Sequence, residues 1–129
     1  MRELKYSRQR EALLETLRMR HDHPTADTLY HALREDFPPL SLGTVYRNLN
    51  LLADMGVISR IRCEEGMEHY DSDTFEHYHF VCRKCGKLED LPMKPVADLD
   101  RLAAADGERL VESHSLIFYG QCASCRQDT

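Results

Sequence analysis

The 129-residue sequence has no apolar run approaching the roughly 18 residues that a membrane-spanning helix needs, and this excludes a helical membrane protein. Its opening Met1-Arg2-Glu3-Leu4-Lys5-Tyr6-Ser7 also lacks the apolar stretch of an export signal. Without export, disulfides are not expected, so the five cysteines read as metal ligands plus a spare thiol in a reducing cytoplasm. Internal repeats and low-complexity tracts are absent too, which leaves one or two small globular domains.

Acidic residues outnumber basic ones, and the net charge of −5 argues at first against nucleic acid. The charge is unevenly spread. Residues 1–62 balance at +2 and residues 63–129 at −7. Bound cations would offset part of the acidic half.

Leucines and alanines recur at helical spacing from Arg8 to Arg20, at Ala12, Leu13, Leu14 and Leu17. His23-Pro24-Thr25 stops that helix, and Thr25 can cap a second over about Ala26 to Asp36. Phe37-Pro38-Pro39-Leu40 breaks the chain. Ser41 then caps a third helix, with Leu42, Val45, Leu49 and Leu52 on one face, which ends near Met55-Gly56. Two short strands, 57–62 and 67–71, are joined by Glu64-Glu65-Gly66 as a hairpin. Three helices and a hairpin in this order predict a winged helix-turn-helix. Ser72-Asp73-Thr74 is the expected hinge. Beyond it the sequence predicts strands at about His79–Cys82 and Lys87–Leu91, a helix from about Pro95 to Ala105 and a long strand from about Arg109 to Gln121.

In a helix-turn-helix the start of the second helix reaches base edges in the major groove. Here that start carries Leu42, Gly43, Thr44, Tyr46 and Arg47. Arg47 suits a guanine edge or a phosphate, and Tyr46 a thymine methyl. Arg8 and Arg10, with Arg60 and Arg62 in the wing, suit phosphates. The pattern alone leaves open a helical mini-domain whose Tyr and Arg simply cover a surface.

Cys82-Arg83-Lys84-Cys85 and Cys122-Ala123-Ser124-Cys125 supply four thiolates, the set that structural zinc prefers. The other reading is four buried or disulfide-linked cysteines. Gly86 allows the tight backbone of a zinc knuckle, and Cys63 reads as an ordinary thiol. His77 and His79 would point the same way from a strand, with Asp71 and Asp90 as candidate co-ligands. Histidines with carboxylates suit manganese or iron better than a thiolate-rich site does, although raw affinity would still favour zinc or copper. An isolated His-x-His is also compatible with two surface histidines.

Together these motifs resemble the ferric uptake regulator (Fur) family. The match is carried by His23-Pro24-Thr25-Ala26-Asp27, Ser41-Leu42-Gly43-Thr44-Val45-Tyr46-Arg47-Asn48-Leu49 and His77-Tyr78-His79-Phe80-Val81-Cys82. It continues in Cys85-Gly86-Lys87 and in Ser113-His114-Ser115-Leu116 through Tyr119-Gly120-Gln121-Cys122. The resemblance implies an α+β protein with a winged-helix DNA-binding domain, residues 1–71, and a metal-binding α/β dimerisation domain, residues 72–129. It implies a cytoplasmic homodimer, not an enzyme, that represses transcription from a palindromic DNA operator. By the same resemblance Cys82, Cys85, Cys122 and Cys125 hold structural Zn²⁺, and His23, Asp71, His77, His79 and Asp90 hold a regulatory Fe²⁺ or Mn²⁺. Asp71 six residues before His77, and aspartate at Asp90, look like the peroxide-sensing (PerR-like) branch, in which His23 and His77 would be oxidised. The alternative is an iron- or zinc-responsive uptake regulator of the same family.

Some features depart from the family pattern. The N-terminal segment that helps many members grip DNA is expected to be short or missing. Gly43 stands where alanine is usual. Tyr78 and Ala97 occupy places used by a further metal site in some members, so that site is not expected, and His114 is expected to hydrogen-bond instead. A metalloenzyme lacks support because there is no His-Glu-x-x-His pattern. In a metal-trafficking protein the helix-turn-helix would be surplus.

Overall fold

The computed structural model describes residues 7–127. The N-terminal residues 1–6, on which the expectation about a DNA-gripping segment falls, lie outside the described residues. The chain divides into two compact units between Phe75 and Glu76.

The first unit contains α1 (Arg8–Arg18), α2 (Ala26–Leu33) and α3 (Leu42–Asp54), then β1 (Ser59–Arg62) and β2 (Glu68–Asp71). Each helix begins on a hydroxyl cap. Ser7, Thr25 and Ser41 accept from the amides of Arg10, Thr28 and Thr44 respectively. Such caps contribute about 1 kcal/mol each by satisfying donors that the first turn leaves open. The apolar faces meet in one core around Leu13, Leu17, Leu29, Val45 and Leu49, all at most 1% exposed. Burying an aliphatic side chain of this size stabilises by about 1.5–3 kcal/mol.

β1 and β2 pair antiparallel, with Ser59 opposite Asp71 and Arg62 opposite Glu68. Their turn is closed by the Gly66 amide on the Cys63 carbonyl and by the Cys63 amide on the Met67 carbonyl. Gly66 has φ +88° there, a conformation that a side chain would strain. This is the expected winged helix-turn-helix.

The second unit has β3 (His79–Cys82), β4 (Leu88–Asp90), α4 (Leu99–Ala103), β5 (Ile117–Gly120) and α5 (Ala123–Gln127). Its sheet has the order β4-β3-β5, with β3 antiparallel to β4 and parallel to β5. Two elements are much shorter than the sequence predicts. The helix expected from Pro95 is only α4, because the Val96 amide donates to the buried Tyr78 hydroxyl at 2.7 Å and Asp98 takes a left-handed φ of 68°. The strand expected from Arg109 is only β5. β3 begins at His79, opposite Ile117, so earlier residues have no neighbouring strand to share a ladder with.

Candidate metal centres

The knuckle after β3 comes from tight local geometry. The Gly86 amide donates to the Cys82 carbonyl at 2.8 Å, and Gly86 adopts φ +81°. This turn brings Cys85 back beside Cys82, and the start of α5 delivers Cys122 and Cys125. The four Sγ atoms lie within 4.8 Å of one another, and Cys85 Sγ is 3.8 Å from Cys122 Sγ. A tetrahedron of sulfurs about 2.3 Å from zinc has edges of about 3.8 Å. A disulfide would need about 2.05 Å, and among the described residues all five cysteines are free thiols. The donor set therefore fits zinc.

Amide hydrogen bonds at Cys122 and Cys85 hold the Cys82 thiol down at about 6. Cys125 is pushed up to about 12, first by its hydrogen bonds to Cys122 and Cys82 and then by burial. Without a cation, the four sulfurs must share protons. Cys63 sits apart in the wing, and burial followed by Glu65 and Glu64 raises its pKa. That suits an unreactive thiol.

A second donor set is formed by His77 just before β3, His79 on β3 and Asp90 on β4. His77 and His79 are two residues apart, their rings 4.5 Å apart, and Asp90 is registered opposite His79. His77 Nε2 is 3.1 Å and His79 Nε2 3.3 Å from the same oxygen, Asp90 Oδ1. His79 is buried, whereas Asp90 is exposed.

A third set belongs to the first unit. His23, 5% exposed, lies in the turn between α1 and α2 with φ +52°. A left-handed backbone at a residue other than glycine costs about 1–2 kcal/mol and persists only where its surroundings enforce it. His23 Nε2 lies 3.4 Å from Asp71 Oδ2, while Asp71 Oδ1 accepts from the Asp73 amide. One carboxylate thus serves the histidine with one oxygen and the turn after β2 with the other. Nitrogen and carboxylate donors without sulfur fit manganese or iron. The structure brings His23 together with Asp71, and His77 and His79 together with Asp90.

The residues expected at DNA have varied settings. Arg8, Tyr46 and Arg47 are exposed, while Arg10 and Thr44 are half-buried. The Thr44 hydroxyl is bonded to Ser41 Oγ at 2.9 Å. Arg62 grips Glu68 at 2.6 and 3.1 Å, and Arg60 donates to Asn50 at 2.9 Å, so both already have acceptors within the unit.

Two residues were missed by the sequence reading. Asp100 bonds His114 Nδ1 at 2.7 Å, and Glu76 Oε1 lies 2.8 Å from His114 Nε2. Both ring nitrogens therefore face carboxylates, which is the arrangement of an imidazolium. Asp100, three residues beyond Ala97 in the sequence, was the available signal. His69 is the other, with Nδ1 2.7 Å from the His23 carbonyl oxygen. Its alternation with Asp71 on β2 could have pointed to it.

The family model for the Ferric uptake regulator family matches residues 1–119. The peroxide-responsive repressor PerR of Staphylococcus aureus is 36% identical over 118 residues, 92% of this chain and 80% of that protein. The crystal structure of the Campylobacter jejuni peroxide stress regulator shares 36% identity at TM-score 0.74, covering 91% of this chain and 88% of that one. The Vibrio cholerae ferric uptake regulator shares 31% at TM-score 0.73, covering 92% of each chain.

Proposed function

The chain belongs to the ferric uptake regulator family, and from that footing we propose that it is a metal-dependent, DNA-binding transcriptional repressor that responds to peroxide in the cytoplasm. Cys82, Cys85, Cys122 and Cys125 hold Zn²⁺ as a permanent structural clasp. One regulatory Fe²⁺ or Mn²⁺ is shared by His23, Asp71, His77, His79 and Asp90. The observation that carries this reading is the convergence of the His77 and His79 Nε2 atoms on one Asp90 oxygen.

Ligands drawn from residues 1–71 and from residues 72–129 make DNA affinity depend on the ion. With both sets engaged, the recognition helices of a homodimer are posed for successive turns of a palindromic operator. The coupling is the difference in ion affinity between posed and unposed arrangements, typically about 1–3 kcal/mol. Thr44, Tyr46 and Arg47 meet base edges, and Arg8 and Arg10 meet phosphates. β5 lies at a sheet edge with Phe118 exposed, a surface that a second copy would cover. Bound ferrous iron would activate peroxide, and the sum balances as imidazole plus hydrogen peroxide giving the oxygenated imidazole plus water. The chain's part is to present the imidazoles of His23 and His77 where each can take up one oxygen atom.

A gel shift of a palindromic duplex with Mn²⁺ and with chelator tests the repressor. Retardation is expected only with the ion. Treating the Fe²⁺-loaded protein with peroxide and weighing its peptides tests the sensing. A gain of one oxygen on the peptides holding His23 or His77 is expected, whereas unmodified peptides with intact DNA binding would exclude peroxide as the signal.

A further inference from the structure

We infer that His69 is a positioning residue for the regulatory site, one whose hydrogen bond to the His23 backbone holds the turn that aims the His23 imidazole at Asp71. The inference rests on the ligand reading above.

Three successive residues of β2 grip the His23-Pro24 turn. His69 Nδ1 lies 2.7 Å from the His23 carbonyl oxygen. The Tyr70 amide donates to the Pro24 carbonyl at 2.9 Å. Asp71 Oδ2 lies 3.4 Å from His23 Nε2. A carbonyl oxygen can only accept, so His69 carries a proton on Nδ1. Side chains two apart on a strand share a face, so His69 and Asp71 reach toward the same turn, one to its backbone and the other to its ring.

The grip matters because His23 has φ +52°. The turn is unfavourable by itself, and relaxing it would swing the imidazole away from Asp71. Hydrogen bonds that orient a ligand from behind commonly change metal affinity by about 10–100-fold. His69 is half-buried in the wing and contacts the ligand's backbone, so its contribution is to geometry.

The test uses zinc-loaded full-length protein, with His69→Ala and His69→Asn as variants. Asparagine offers a side-chain N–H near the position of Nδ1. Two readouts are taken: amide hydrogen exchange at Tyr70 without regulatory metal, and Mn²⁺ affinity by calorimetry. His69→Ala is expected to speed Tyr70 exchange relative to the Cys63 amide, which is bonded to Met67 at the far end of the hairpin. It is also expected to weaken Mn²⁺ binding by about tenfold or more. His69→Asn is expected to restore most of both. Unchanged Tyr70 exchange in His69→Ala, or an asparagine variant no better than alanine, overturns the inference. His23→Ala separates the two readings. If it binds Mn²⁺ like wild type, the ligand assignment fails, while the exchange data still decide whether His69 pins the turn.

Discussion

Held between Asp100 and Glu76, the His114 imidazole has its pKa raised, chiefly by the hydrogen bond to Asp100 and against the opposing effect of burial. A raised folded-state pKa gives stability that is fully present below the unfolded value of 6.5 and lost as pH rises through the folded value. The His114 ring resonances should therefore titrate with a midpoint above 6.5. The wild type should exceed His114→Gln in melting temperature by more at about pH 6 than at about pH 9. A midpoint at or below 6.5, or a difference independent of pH, would contradict the ion pairing. At this scale the sequence was legible where a residue's chemistry is unusual. Four cysteines at Cys-x-x-Cys spacing announce themselves. Asp100 and His69 do not, since each acts through one hydrogen bond whose partner lies 14 or 46 residues away.

Elements were legible where periodicity and caps agree. Leu13, Leu17, Leu29, Val45 and Leu49 repeat at helical spacing, and α1, α2 and α3 each have a hydroxyl residue immediately before them. The second unit obeyed less local rules. α4 is cut short by the Tyr78 hydroxyl holding Val96, and β5 by where β3 begins. Neither is visible to a window of neighbouring residues. The recognition helix offers a test of the local rule. Ser41 Oγ accepts from the Thr44 amide and bonds the Thr44 hydroxyl. Ser41→Ala should destabilise the first unit by about 1 kcal/mol. It should also weaken operator binding more than Thr25→Ala, because Thr44 lies on the face proposed to meet DNA. Equal operator affinity in the two variants, measured by gel shift at fixed salt, would argue against that face.

Across the whole molecule, the two units are stabilised by different means. The first has a contiguous leucine core spread over three helices and the wing. The second buries Cys82, Cys122 and Cys125 against Phe80, with Tyr78, Val81 and Leu88 also buried in that unit, and the four sulfurs need something to hold them together. Structural zinc contributes about 10–16 kcal/mol of apparent binding energy in small zinc-dependent domains, and that energy becomes folding energy. Removing zinc from reduced protein with a strong chelator should therefore unfold the second unit while leaving the first folded. Unfolding would then not be two-state. Amide exchange reads the units separately. Protection at Val45 and Leu49 should persist after chelation, and protection in β3 and β5 should collapse. Cys82→Ser should reproduce the chelated pattern without chelator. If β3 and β5 stayed protected in both cases, packing around Phe80 would suffice and the cysteines would not be the clasp of the second unit.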